Sequence, residues 1–254
     1  MKPFRSGLRE TSSLARRLPC TPGWIGETRR DRVNTPRRTI LPQGNENGNA
    51  EEHAGGAIEF WFDFGSSYAY FAAMEIDALA ERCDRPVLWR PFLLGTAFRQ
   101  TGAQGLSSTP LKKDYAARDW ARLARARGIA FSPPPGHPAI ALAATRAYYT
   151  LEDADPDQAR AFAREVFRRV YQSGDLDTSD ADQVARLGAG FGIDQKRLRA
   201  ALDEPALKAR VKAISEDAVA RGIFGSPFFI VDGEPFWGAD RMAMMEAWIE
   251  TGGW

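Results

Sequence analysis

Two blocks with the alternation of β-strands lie far apart in this chain, and everything between the inner ones reads as helix. The first opens with "AIEFWFDF", where Ile58, Phe60, Phe62 and Phe64 alternate with Glu59, Trp61 and Asp63. That period of two is the pattern of a strand. From Tyr68 the spacing becomes helical, through Phe71, Met74 or Glu75, Ala78 and Leu79, ending near Arg82, and "PVLWRPFLL" (86–94) reads as a second strand. A helix between two strands makes a β-α-β unit with parallel strands. The second block is "PFFIV" (227–231), an Asp-Gly turn at 232–233 and "EPFW" (234–237). Asp-Gly between apolar runs is a hairpin signal, and Pro235 removes a ladder donor, so this last strand belongs at a sheet edge.

Helical periodicity fills 113–128, 139–150, 156–173, 178–190, 194–203 and 204–221, with a rigid "FSPPPGHP" loop after the first of these. Gly128 is a helix stop, and Asp180 and Asp194 fall near helix starts, where carboxylates interact favourably with the macrodipole. A closing helix follows at 240–250. The order β-α-β, helices, β-β-α predicts an α/β thioredoxin-like fold with an all-helical subdomain inserted at about 105–221. The domain so defined runs over 58–254.

Residues 1–57 differ. Ten of the first 50 are Lys or Arg, against four Asp or Glu, with Pro, Gly, Ser and Thr between and no hydrophobic period. Such a composition predicts a disordered basic extension. It lacks the apolar core of a secretory signal. The net charge of the 254 residues is +1, which offers no global attraction to nucleic acid or acidic membrane. No apolar run reaches the roughly 20 residues of a membrane span. Two cysteines, Cys20 and Cys83, form neither a C-x-x-C pair nor, without neighbouring histidines, a zinc site. A reducing cytoplasm is the expected location, and no metal is expected. The two histidines, His53 and His137, fall outside every motif, which argues against serine–histidine catalysis and leaves the place of His137 open.

The chemistry concentrates at "FDFGSSYAYF" (62–71), where strand passes to helix. Ser66 or Ser67 suits a helix N-cap. The same helix start carries free donors and partial positive charge, which stabilise a thiolate. Redox proteins of the thioredoxin fold place a C-x-x-C there; this chain has Ser66-Ser67-Tyr68-Ala69. Dithiol exchange at that place is excluded. A thiolate used there comes from outside, with glutathione the obvious supplier and a serine hydroxyl as donor to its sulfur.

Four stretches resemble the family of 2-hydroxychromene-2-carboxylate isomerases and kappa-class glutathione transferases. "FWFDFGSSYAYFA" is similar to its F-D-F-x-S-P-Y-A-Y opening. "RPFLLGTAFRQTG" (90–102) resembles R-P-F-L-L-G-x-x-F-K-x-T-G-N, and "KKDYAARDWARLARARG" (112–128) resembles K-x-x-Y-x-x-x-D-x-x-R-W-A. "GIFGSPFFIVDGEPFWGADRM" (222–242) resembles G-V-F-G-x-P-x-F-V-V-D-G-x-x-F-W-G-x-D-R-L. The resemblance spans about 58–250 and implies a DsbA-like thioredoxin fold, glutathione as cofactor, a small aromatic carboxylate as substrate and a homodimer.

Carried over, the family's serine falls on Ser66, beside the glutathione sulfur. Ser67 stands where most members have proline, a second hydroxyl that competes for the role. Ser226 and Pro227 match the cis-proline loop, whose backbone edge pairs with the cysteinyl unit. Gly238, Ala239, Asp240 and Arg241 match the γ-glutamyl contacts, with Asp240 either a helix cap or a counter-charge for the ammonium. Arg99 stands at a lysine position and, with Tyr115, is expected on the substrate side. Ala103 and Leu123 replace the family's asparagine and tryptophan. Trp61, Phe92, Phe98 and Trp237 read as core by type, and Cys83 as a small buried hydrophobe. The implied activity is glutathione-dependent isomerisation of 2-hydroxychromene-2-carboxylate type in aromatic catabolism. Conjugation of electrophiles, as by kappa-class transferases, and a non-catalytic thioredoxin-like binding protein are the alternatives.

Overall fold

The structure is a computed structural model that describes residues 56–133 and 135–254. The basic extension, with Cys20 and His53, lies outside the described residues, as does what was expected of it.

Four strands form one sheet in the order β2-β1-β3-β4. β1 (Ile58–Phe62) pairs parallel with β2 (Val87–Pro91), placing Phe60 opposite Trp89. β3 (Phe228–Val231) runs antiparallel to β1, with Phe60 opposite Phe229. β4 (Glu234–Trp237) closes the hairpin and forms the edge, as Pro235 requires. The connecting Asp232 and Gly233 have φ of 50° and 85°. Positive φ at both centres twists the turn in the hand that strands prefer, which is why Asp-Gly suits it.

Both faces of the sheet are covered, so the central strand β1 is apolar on both sides. One face stacks Phe60 on Phe62 and Phe229, with Trp89 edge-on. On the other, Trp61, Phe92 and Phe228 pack with Ala218 and Ile223. Phe60, Phe62 and Phe229 are fully buried, a gain of about 1.5–3 kcal/mol for each ring.

The first helical stretch is broken. α1 (Ser67–Ala73) stops at Met74, and α2 (Ile76–Arg82) starts after Glu75. The sequence pattern predicted one helix here. A second difference follows β2: the apolar run ends in a helix, α3 (Leu94–Thr101), capped by left-handed Gly102, where strand was expected to continue to 94.

The remaining helices run from α4 (Lys112–Arg127) through α5 (Leu142–Glu152), α6 (Pro156–Arg168), α7 (Ala181–Gly188) and α8 (Gln195–Ala201) to α9 (Pro205–Ala220), and α10 (Met242–Thr251) closes the chain. Asp155, Asp180 and Asp194 each accept two backbone N–H bonds at a helix start. α6 continues into a π-turn at 169–173 that buries both Val170 and Tyr171.

Three buried tyrosines fasten these helices to the ends of the strands. Tyr148 and Tyr149 of α5 donate to the carbonyls of Trp89 and Pro91 at 3.0 and 2.7 Å. Tyr171 donates to the Phe64 carbonyl at 2.9 Å. The strand ends would otherwise leave buried carbonyls unpaired, at about 1–3 kcal/mol each. The helices are thereby pinned where β1 runs out, next to Ser66.

Candidate functional site

β1 ends beneath a tight turn. Asp63 accepts from Gly65 N at 2.7 Å through one carboxylate oxygen and from Leu94 N at 2.8 Å through the other. Burial raises the Asp63 carboxyl above the ordinary value, while the two amide donors act in the opposite direction. Ser66 N donates to Asp63 O at 2.9 Å and completes the turn. Gly65 has no room for a side chain: a Cβ would lie 3.0 Å from the Ala139 carbonyl.

Ser66 is the N-cap of α1. Its Oγ accepts from Ala69 N at 3.2 Å and donates to the Ser226 carbonyl at 2.8 Å. Ser226 Oγ in turn accepts from Asp63 N at 2.8 Å. The Ser226–Pro227 peptide is cis. Thus Ser66 and Ser226, 160 residues apart, are joined by one direct hydrogen bond, and a second, from Asp63, reaches the same loop residue. The cap and the sulfur-facing role expected of Ser66 are compatible, because one oxygen accepts and one proton donates. That proton lies on Ser226 O, so any sulfur that takes it displaces this bond. The amides of Ser67 and Tyr68 have no partner among the described residues. With α1 only seven residues long, these two donors, more than a summed dipole, supply the positive potential.

Ser67 points the other way. It is 3% exposed, and its Oγ lies 3.2 Å from His137 Nε2. His137, which sequence left outside every motif, is therefore part of the junction. Its ring packs edge-on to Tyr171 and Trp120. Burial lowers its pKa to about 4, so the ring is neutral at neutral pH. The only sequence signal for it was the rigid "FSPPPGHP" loop. Tyr171, Asp63 and the Tyr68–Asp119 hydrogen bond at 2.8 Å carried no signal of their role.

The second group forms at the start of α10. Gly238 has φ of 108° and donates to Pro227 O at 3.0 Å, which ties this turn to the cis-proline loop. Ala239, Asp240 and Arg241 form a 3-10 turn. Asp240 caps nothing; its carboxylate folds back over Gly238, where a Cβ would lie 2.4 Å from Oδ1, and pairs with Arg241 at 3.0 Å. Asp240 and Tyr115 both lie close enough to raise the Tyr68 phenol, after burial and the Asp119 bond.

The substrate-side expectations scatter more. Tyr115 on α4 is 62% exposed, with Arg122 over its ring. Arg99 on α3 is exposed and, among the described residues, bonds Thr96 at 3.2 Å and makes no bond to the junction. Trp61 and Phe92 are core and Phe98 is half-buried, but Trp237 is 56% exposed. It sits against Phe224 and over Gly225, where a Cβ would be 2.2 Å from the indole nitrogen. Its place on the edge strand β4 accounts for that exposure. Cys83 is half-buried, its thiol pushed up by burial. No cluster of metal ligands exists among the described residues, and no helix among them is long and apolar enough to cross a membrane.

A strand-end helix start facing a cis-proline loop across a β-α-β…β-β-α sheet defines a protein of the thioredoxin class. The chain belongs to the family of the DSBA-like thioredoxin domain, which matches residues 57–250. It is 27% identical over 194 residues to the 2-hydroxychromene-2-carboxylate isomerase of Sphingobium xenophagum, covering 76% of this chain and 97% of that one. To the isomerase of the same name from Pseudomonas putida it is 28% identical over 195 residues, covering 75% and 92%. Among solved structures, a 2-hydroxychromene-2-carboxylate isomerase superposes with a TM-score of 0.70 at 23% identity, covering 77% of this chain and 95% of that one.

Proposed function

We propose that this protein is a glutathione-dependent isomerase of the 2-hydroxychromene-2-carboxylate type. One observation carries the reading. The start of α1 presents a hydroxyl, Ser66, and no thiol, hydrogen-bonded to the cis Ser226–Pro227 loop. The curated relatives that span this domain are named for that reaction.

The residues present fit the tripeptide. The Ser226 carbonyl has a second lone pair for an added strand. Asp240 offers a carboxylate for an ammonium and Arg241 a guanidinium for a carboxylate, with Gly238 and Ala239 supplying backbone. When bound, glutathione would supply a thiolate nucleophile for reversible addition to a conjugated carbon of the substrate. Ser66, whose proton now lies on Ser226 O, would donate to the sulfur, and the Ser67 and Tyr68 amides would add positive potential there. Ser226 and Pro227 hold the extended backbone beside it. Arg99, on the far side, attracts the carboxylate of the substrate, with Tyr115 against its ring.

The test is to mix protein, glutathione and 2-hydroxychromene-2-carboxylate and follow the ultraviolet spectrum. A glutathione-dependent approach to equilibrium with the benzylidenepyruvate is expected, and its absence rejects the reaction. The second reading, conjugation of electrophiles, rests on Ala103, which removes an amide from the substrate side. Product formation from a chlorinated nitrobenzene, without isomerisation, favours it.

A further inference from the structure

At the end of the sheet nearest Ser66, one row of aromatic side chains runs out into solvent. Trp61, Phe228 and Trp237 lie opposite one another on β1, β3 and β4. Phe60, Phe229 and Phe236 of the same strands belong to the core beneath α1, so alternation turns the Trp61 row to the other face. There Leu94 of α3 and Ala218 of α9 pack over Trp61 and Phe228. Trp237, on the edge strand, lies beyond that cover and is exposed, and so is Phe224.

The two exposed rings are fixed to each other and to the cis-proline loop. Their centroids are 4.9 Å apart with planes at 70°, and Phe224 meets buried Phe228 edge-on at 5.4 Å. The indole also packs on Gly225, where a Cβ would collide with it. Two planes at 70° make a corner. A third flat ring set into it lies on the face of one and meets the edge of the other, the two arrangements that aromatic rings prefer. The corner belongs to the site by connectivity. Gly225 is followed by Ser226, whose carbonyl accepts from Ser66 Oγ at 2.8 Å. Trp237 is followed by Gly238, which donates to Pro227 O at 3.0 Å.

We propose that Phe224 and Trp237 form a stacking corner for the flat ring of the substrate, and so select aromatic over aliphatic carboxylates. This rests on the proposed isomerase and names the residues that recognise its substrate's ring. Neither side chain carries charge, so the corner holds the ring and leaves the carboxylate to a cation. α3, which carries Arg99, covers the buried part of the same row, so cation and corner share one face of the sheet. α4, which carries Tyr115, packs into the core beneath α1 and reaches the strand ends from the opposite face.

The test uses the full chain and two probes, 2-naphthoate and decahydro-2-naphthoate, which share a carbon skeleton and a carboxylate and differ in the flat π-face. Calorimetry without glutathione should show naphthoate binding about 2- to 10-fold tighter, the worth of one aromatic pair. Trp237→Leu should abolish that preference and Trp237→Phe should keep most of it. Phe224→Leu, which leaves the indole on Gly225, should reduce it and decides the matter should Trp237→Leu not fold. With 15N-tryptophan, the one of seven indole signals that is missing from Trp237→Phe belongs to Trp237, and naphthoate should move it. Equal affinities, a preference that survives Trp237→Leu, or a stationary Trp237 signal refutes the corner. So does a dimer that separates in Trp237→Leu by sedimentation, since a second copy then covers the pair. Stacking without isomerisation leaves the corner standing and removes the isomerase reading. Isomerisation with unchanged kcat/KM in Trp237→Leu does the reverse.

Discussion

Replacing Ser66 with alanine separates structure from chemistry at the junction. The hydroxyl makes two bonds, from Ala69 N and to Ser226 O. Losing an N-cap serine costs about 0.5–2 kcal/mol, and losing a part-buried hydrogen bond about 0.5–1.5 kcal/mol. Together these predict about 2 kcal/mol. For a domain of this size, 1 kcal/mol moves Tm by about 2–4 °C, so Ser66→Ala should melt about 4–8 °C lower. Ser66→Thr, which keeps the oxygen and its proton, should recover most of that. Glutathione affinity is measured on the same samples by calorimetry. A hydrogen bond to a charged sulfur is worth about 1.5–3 kcal/mol, so affinity should fall by about 10- to 100-fold in the alanine variant. An unchanged Tm would show that the hydroxyl is not the cap. Unchanged glutathione affinity would show that Ser66 does not face the sulfur, and an equal loss from Ser67→Ala would transfer the role to its neighbour.

Tyr171→Phe leaves the buried Phe64 carbonyl unpaired and should destabilise by about 1–3 kcal/mol in urea unfolding; an unchanged midpoint would contradict the bond. The pH dependence of stability follows from His137, whose pKa falls from its ordinary value of 6.5 to about 4 on folding, because the ring is buried. The unfolded chain binds that proton at higher pH than the folded one. This contribution is therefore complete above pH 6.5 and is lost as pH falls toward 4, on the order of 3 kcal/mol at most. Unfolding measured over that window should show a flatter slope in His137→Phe, and parallel slopes would refute the shift. Gly225→Ala drives a methyl into the Trp237 indole; the expected cost is about 1–3 kcal/mol with changed tryptophan fluorescence, and an unperturbed spectrum would sink the contact. Gly233→Ala puts a side chain at φ 85° and should cost about 1 kcal/mol, read as a lower Tm.

Local physics was legible in the sequence where it acts over a few residues. The Asp232-Gly233 hairpin, the edge position of Pro235, the stop at Gly128 and the caps at Asp180 and Asp194 all depend on neighbours within one turn. The Ser66 junction was found because period two changes to period 3.6 within three residues. α3 was missed because "PFLL" continues the apolar run of β2. The spacing of Leu94, Ala97 and Phe98 and the stop at Gly102 were the available signal. The break at Met74–Glu75 had none, as both residues suit a helix. Ser67 and His137 are 70 residues apart, and nothing local to either announces the other. Trp237 was expected in the core on residue type alone; its exposure depends on which strand ends the sheet.

Asp63 grips two separate pieces of chain with one carboxylate, the turn at Gly65 and the first residue of α3. The two cannot shift independently without breaking a short bond beneath the sheet's end. A pull on α3, the helix that carries Arg99, is thus transmitted through one rigid planar group to the backbone just before Ser66. Arg99 and Ser66 share a common lever, although no atom of one touches the other.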